Sequence, residues 1–320
     1  MTHLIDVRVE SVADQAQDIR VFSLVPVAVG DLPAFHPGSH VDVHILPGLI
    51  RQYSLCGDIG DLRRYVIAVK KEPASRGGSR AMHESVEAGQ RLQISHPRNN
   101  FRLHEDAPRS VLLAAGIGVT PIMSMADRLS HLGKPFAFHY FTRGPAFTAF
   151  RRRLTGSGYA SQVHFHYAME PDQVRSHLHE LLSTHDDGAR LYLCGPKPFM
   201  DMVEAAAAPA WPSDMVHLEH FSADPDALIG KRGSFDIRLA RSGDVFHVPE
   251  DKTILDILSG AGVKIEFSCE QGICGTCLTR VLEGEPDHRD MYLSEGEKSA
   301  NDRMCVCVSR SRSPMLVLDL

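Results

Sequence analysis

The chain has 320 residues, a net charge of -6 at neutral pH, and 43% hydrophobic and 23% charged residues. At roughly 100–200 residues per domain this length suggests two or three domains of ordinary globular composition. The mild acidity argues against nucleic acid as the main partner, and no apolar run approaches the ~18 residues that would span a bilayer. The opening MTHLIDVRVE alternates apolar and polar residues and lacks the basic and apolar regions of a signal peptide. A cytoplasmic location is therefore expected.

Residues 1–103 read as mostly β. Period-two stretches run through LIDVRVESV, VDVHI and RYVIAVK. Turns are marked by Pro37-Gly38 and Pro47-Gly48, and a helix is expected over SRAMHESVEAG, ending at Gly89. Several short strands with one helix suggest a small β-barrel. Residues 104–225 change character. VLLAAGIG is a buried apolar run ending in glycines, PIMSMADRLSHLG is amphipathic, and FAFHYF and RLYLCG read as further strands. That alternation predicts a parallel sheet covered by helices. Residues 222–232, SADPDALIGKR, are polar with Pro and Gly and read as a linker. Beyond it come a hairpin around Ser242-Gly243, a short helix in TILDILSGAG, and a cysteine-rich loop.

Seven cysteines sit at positions 56, 194, 269, 274, 277, 305 and 307, five of them in the last 52 residues. In a reducing compartment such clustering points to metal or redox chemistry. Cys269, Cys274 and Cys277 form C-x4-C-x2-C, and 29 residues separate Cys277 from Cys307. This is the ligand spacing of a plant-type [2Fe–2S] cluster. Two sulfide-bridged irons need four thiolates and a closely wrapped loop, which Gly272 and Gly275 suit. A zinc site from Cys274, Cys277, Cys305 and Cys307 is the alternative, and it leaves Cys269 unexplained. Cys305 is read as a buried small hydrophobe. Cys56 and Cys194 are too distant in sequence to be counted as ligands.

Ala115-Gly116-Ile117-Gly118-Val119-Thr120-Pro121 joins an apolar strand to an amphipathic helix, with Thr120 as the expected N-cap. Glycines and the helix dipole there suit a pyrophosphate. Alone, the motif does not separate a nucleotide loop from an ordinary strand–helix turn. Cys194-Gly195-Pro196 ends another strand, so both glycine motifs are expected at the carboxyl edge of one sheet. In the β region, Arg51-Gln52-Tyr53-Ser54-Leu55 offers a ring to cover a flavin, groups to bond its polar edge and a cation for its phosphate. Gly77-Gly78-Ser79 is a second candidate phosphate cradle. Taken singly, a strand tyrosine and a glycine turn explain these residues equally well. None of the 18 histidines makes a catalytic motif, and HELLSTH at 179–185 lacks the second histidine of HExxH.

Together RQYSL, VKKEPASRGGS, AAGIGVTP, HYFTR, CGPKPFM, EHF, CEQGICGTC, EGEPDHRDMYLS, CVSR and the closing LVLDL occur in an order that resembles the phthalate dioxygenase reductase family, which includes vanillate demethylase reductases. The likeness covers nearly the whole chain. It implies an FMN-binding β-barrel over 1–103, an NAD-binding α/β domain over 104–225 and a β-grasp [2Fe–2S] ferredoxin domain over 226–320. By resemblance Arg51, Tyr53 and Ser54 contact FMN, Val69 and Lys70 lie beside it, and Gly77, Gly78 and Ser79 hold its phosphate. Phe221 packs near its ring. Gly118 and Thr120 serve the nicotinamide nucleotide, with Cys194, Gly195 and Pro196 near the nicotinamide. Arg143 follows the strand where the adenosine ribose is read, and an arginine there could favour a 2′-phosphate, although NADH is expected. Cys269, Cys274, Cys277 and Cys307 ligate the cluster. No side chain acts as an acid or base, because the cofactors carry the chemistry. The implied function is hydride transfer from NADH to FMN, then single electrons through the cluster to a Rieske-type oxygenase or demethylase. The implied protein is a monomer, whose docking surface is guessed at Glu270, Gln271 and Ile273. Rival readings are a stand-alone NAD(P)H reductase with a quinone or ferric chelate as acceptor, and a non-catalytic zinc-binding module.

Overall fold

The computed structural model describes residues 4–73, 77–222 and 233–320. Most of the expected linker, 223–232, lies outside these residues. The chain divides into two compact units, Met1–Glu219 and His220–Leu320.

The first unit opens with strands β1 (Ile5–Ala16), β2 (Ile19–Pro26), β3 (His40–Leu46), β4 (Leu49–Ser54) and β5 (Tyr65–Lys70), then helix α1 (Gly78–Ser85) and strand β6 (Arg91–Ile94). The strands form one antiparallel sheet in the order β4-β3-β6-β1-β2-β5. A bridge between Leu55 and Ile67 links the chain just past β4 to β5 and closes the sheet on itself. Alternation decides what fills the interior. Val7 and Val9 of β1, Phe22 and Leu24 of β2, Val41 and Val43 of β3 and Ile67 and Val69 of β5 bury their side chains in one core. Helix α1 stops four residues short of the expected Gly89. Val86 adopts extended backbone, and its side chain is buried in the barrel core.

The rest of this unit runs β7 (Ser110–Ala115), α2 (Val119–His131), β8 (Phe136–Thr142), α3 (Arg151–Thr155), β9 (Val163–Tyr167), α4 (Pro171–Leu182), β10 (Arg190–Cys194), α5 (Lys197–Ala207) and β11 (Val216–Glu219). All pairings are parallel, in the order β11-β10-β7-β8-β9. Both faces of the sheet are covered, so its central strand β7 is apolar after Ser110. Leu112 and Ala114 of β7 face α2, with Ile122, Met123 and Leu129. Leu113 and Ala115 face α4 and α5, with Leu178, Leu182, Phe199 and Val203. The core on the α2 side also takes in Ile19, Cys56, Ala68 and Phe101 from the barrel region. This cluster bridges barrel and parallel sheet, which is why they form a single compact unit.

The second unit holds β12 (Phe235–Leu239), β13 (Val245–Val248), α6 (Ile254–Gly260), β14 (Leu278–Glu283), β15 (Pro286–Asp287), α7 (Glu295–Ala300), β16 (Arg303–Cys305), β17 (Arg310–Ser311) and β18 (Met315–Leu318). The main sheet is mixed, β13-β12-β18-β14-β16, with β12 parallel to β18 and the other pairs antiparallel, and β15 pairs with β17. Ile254, Leu255 and Leu258 of α6 pack on it in a β-grasp arrangement. Thr253 caps α6 in a reciprocal box with Asp256. Among the described residues no helix is long and apolar enough to cross a membrane.

Candidate redox cofactor sites

Two sites emerge, one in each unit. In the first unit the carboxyl ends of β4, β7, β10 and β11 come together. Cys194 and Glu219 are register partners on β10 and β11. Ser54, at the end of β4, hydrogen-bonds the Glu219 carboxyl. His40 Nδ1 lies 3.9 Å from the same carboxyl. The group is dry. Burial pushes Glu219 up to about 8, and burial together with the Glu219 charge pushes the Cys194 thiol well up. Burial and the Arg98 guanidinium lower His40 to about 4, so its imidazole is neutral.

The glycines here are fixed by close backbone approach. A Cβ on Gly118 would sit 2.1 Å from the Cys194 carbonyl oxygen, and one on Gly195 would sit 2.9 Å from the Ala115 Cβ. The two glycine loops thus meet at one sheet edge, as their spacing predicts. Thr120 differs from expectation. It is the second residue of α2, and its hydroxyl donates to the Ile117 carbonyl at 3.0 Å. Gly118 is the capping residue, because a short 3-10 turn, Gly116–Gly118, carries the strand directly into the helix and leaves no side chain over the first N–H groups.

On the barrel, Arg51 and Gly78 come together. A Cβ on Gly78 would fall 2.4 Å from Arg51 Cγ, so the arginine stem lies against the first residue of α1. Gly77 precedes that helix in left-handed backbone and supplies no side-chain cap. Ser79 accepts a hydrogen bond from the Glu72 N–H at 3.1 Å. The arginine and the start of the helix form a cationic cradle suited to a phosphate. Tyr53 has a buried hydroxyl with no hydrogen-bond partner, and burial holds its pKa above the ordinary value. An orphaned buried hydroxyl, with the unsatisfied His40 Nε2 and Glu219 Oε2, fits a polar-edged aromatic ligand that supplies the missing partners. Val69 points into the barrel core, and its carbonyl is bonded to His83 at 2.8 Å. Lys70 pairs with Glu72 at 2.6 Å. Arg143 follows β8 with its guanidinium 4.2 Å above the Phe147 ring. Pro196 is the N-cap of α5, and Phe221, two residues past β11, is 39% exposed. Glu219 and His40 were not picked out as site residues from sequence. The sequence signal for Glu219 is its place in EHF at the end of the strand VHLE.

In the second unit Cys269, Cys274, Cys277, Cys305 and Cys307 are all buried and unbridged. Cys269 is hydrogen-bonded to Cys274, and Cys277 to both Cys305 and Cys307. These bonds lower the Cys274 and Cys277 thiols and raise those of Cys269, Cys305 and Cys307. Backbone N–H groups of Gln271 and Thr276 point at the sulfurs of Cys269 and Cys274, at 3.3 and 3.5 Å. Gly272 and Gly275 each have φ +70. A Cβ would strike Val308 and Asp290 at the first and the Tyr292 ring at the second, at 2.6, 2.9 and 2.3 Å. The loop is therefore wrapped in a way that only glycine permits, with amides aimed at sulfur as an iron–sulfur centre requires. Cys277 is in contact with both Cys305 and Cys307, and four of these five buried thiols would supply the donor set of a [2Fe–2S] cluster.

Residues 237–312 match the family model of the 2Fe-2S iron-sulfur cluster binding domain. Over 318 residues the chain is 45% identical to a vanillate O-demethylase oxidoreductase of a Pseudomonas strain, covering 99% of this chain and 100% of that one. The chain belongs to the phthalate dioxygenase reductase family. The solved structure of phthalate dioxygenase reductase, described as modular for electron transfer from pyridine nucleotides to [2Fe-2S], aligns with a TM-score of 0.76 at 38% identity, covering 99% of this chain and 98% of that one. A tetrachlorobenzoquinone reductase of Sphingobium chlorophenolicum is 43% identical over 321 residues, covering 99% and 98% of the two chains. Like the other reductases of this family, the protein is a flavin- and iron–sulfur-dependent oxidoreductase.

Proposed function

We propose that this protein is the reductase component that takes hydride from NADH onto FMN and delivers single electrons, through its [2Fe–2S] cluster, to a separate Rieske-type aromatic oxygenase or demethylase. The observation that carries this reading is the pairing, on one chain, of a buried polar group (His40, Ser54, Cys194 and Glu219) at a parallel-sheet edge with a glycine-wrapped loop of three cysteines backed by Cys307. Hydride brings two electrons together, the cluster accepts one at a time, and a flavin does both.

The residues then have positional tasks. Arg51, Gly77, Gly78 and Ser79 hold the FMN phosphate, Tyr53 and Ser54 meet the ring system, and Val69, Lys70 and Phe221 flank it. Gly118, Thr120 and Arg143 take the nicotinamide nucleotide, and Cys194, Gly195 and Pro196 border the nicotinamide. Ser54 and Glu219 supply hydrogen bonds to orient the bound rings. Cys269, Cys274, Cys277 and Cys307 hold the cluster. In this reading residues 1–103, 104–225 and 226–320 are the FMN, NAD and ferredoxin domains of a cytoplasmic monomer.

Anaerobic titration of the purified protein with NADH, followed by visible absorbance and low-temperature EPR, tests the electron path. Bleached flavin bands with a rhombic [2Fe–2S] signal are expected. Flavin bleaching without that signal would return the C-terminal cysteines to the zinc reading. A second reading, a stand-alone reductase acting on quinones, draws on the 43% identity to tetrachlorobenzoquinone reductase. Turnover with a quinone that exceeds turnover with every oxygenase component tried would favour it.

A further inference from the structure

On the face of the parallel sheet covered by α4, four imidazoles gather away from both sites described above. His139 projects from β8, His164 and His166 from β9, and His177 from α4. In register, His139 pairs with His164 and Phe141 with His166, so His139 and His166 are diagonal neighbours on adjacent strands. His139 Nδ1 and His166 Nε2 are 3.0 Å apart. The His177 ring centroid is 4.6 Å from that of His166, and His164 stacks on His139 at 4.8 Å. One ring nitrogen from each of His139, His166 and His177 lies within 4.8 Å of the other two.

We propose that His139, His166 and His177 form a binding site for a divalent transition-metal ion of the zinc class, pinning α4 to β8 and β9.

Three observations carry this. First, the His177 Nε2 is buried with no hydrogen-bond partner. A buried polar nitrogen left unpaired is destabilising, and a metal ion would satisfy it. Second, His139 and His166 are neutral donors. Burial, then the neighbouring imidazoles, lower His139 to about 3 and His166 to about 4, and no carboxylate is among the groups acting on either. A metal ligand must be the free base, so these two rings release no net proton at neutral pH; the ring proton held between His139 Nδ1 and His166 Nε2 moves to the outer nitrogen of its ring when the ion enters. Third, the spacing is near that of a bound ion. Zinc–nitrogen bonds of about 2.0–2.1 Å at tetrahedral angles separate ligand nitrogens by roughly 3.3 Å. The His139–His166 pair is already there, and the widest pair needs to close by about 1.5 Å. Three histidines leave a fourth position for water or for a further ligand, and His164 stands next to the group.

The inference is independent of the flavin and cluster assignments. Its test uses the full-length protein with its cofactors in place, stripped of loose metal by chelator and titrated with Zn²⁺ against a chromophoric chelator. Visible absorbance is recorded throughout to show that the cluster stays intact. One equivalent of Zn²⁺ per chain is expected, with a melting temperature that rises with free Zn²⁺. His177→Gln should weaken that equivalent by at least about 100-fold, since even loss of an outer-shell partner costs 10–100-fold. His179→Gln, an exposed histidine on the same helix, should leave it unchanged. His166→Gln is the second ligand variant, should His177→Gln fold poorly. No tight equivalent in the wild type, equal loss in His177→Gln and His179→Gln, or zinc uptake only as cluster absorbance bleaches would each overturn the proposal.

Discussion

The Glu219 carboxyl shows how one side chain acquires a property no motif announces. With its folded pKa near 8 and an ordinary value of 4.5, the native state holds a proton over that interval that the unfolded chain has released. Stability from this group is therefore present below about pH 4.5 and falls as pH rises towards 8, by about 1.4 kcal/mol per pH unit at most. Glu219→Gln should flatten that slope, and urea unfolding at pH 5, 6, 7 and 8 would measure it. Unchanged slopes would mean the carboxyl is ionised in the folded protein. In the cysteine loop, Gly275→Ala puts a methyl group into the Tyr292 ring at a φ of +70. Iron and acid-labile sulfide should fall to a small fraction of wild type. Cys307→Ser should do the same and Cys305→Ser should not, which distinguishes a ligand from its buried neighbour two residues away.

At the scale of elements, α1 and the end of β4 act as one device. The helix opens without a side-chain cap, and Arg51 lies against its first residue. A Cβ at Gly78 would displace Arg51, so Gly78→Val should weaken FMN binding by at least about tenfold, equivalent to about 1.4 kcal/mol. Arg51→Gln should weaken it through lost charge alone. Flavin fluorescence on titrating the apoprotein reads both, and wild-type affinity in both variants would remove the phosphate from this cradle. The contrast between Thr120 and Thr253 is instructive at the same scale. Both precede apolar helices, yet only Thr253 caps one. The 3-10 turn before α2 moves the helix start two residues back, and local sequence cannot signal that shift, because it is set by the tight approach of Gly118 to Cys194.

For the molecule as a whole, the two units have separable tasks. Variants that empty the second unit of its cluster, such as Cys307→Ser, should leave NADH-dependent ferricyanide reduction within about twofold of wild type. They should abolish delivery of electrons to the oxygenase. Equal loss of both activities would mean that the first unit cannot turn over alone.

Periodicity and spacing were enough to read the alternating strands of the barrel, the continuous apolar runs of the parallel sheet and the C-x4-C-x2-C loop, because each is written in residues close together along the chain. Val7 and Val9, Leu112 through Ala115, and Cys269 to Cys277 carry their burial or ligand pattern within a few positions. Three things needed the folded chain. Cys56, Ala68 and Phe101 join the core beside α2, uniting barrel and sheet. Ser54, Cys194 and Glu219 meet although they lie on three strands. His139, His166 and His177 converge from two strands and a helix. Each depends on groups far apart in sequence, and their burial and protonation follow from neighbours that only tertiary packing supplies.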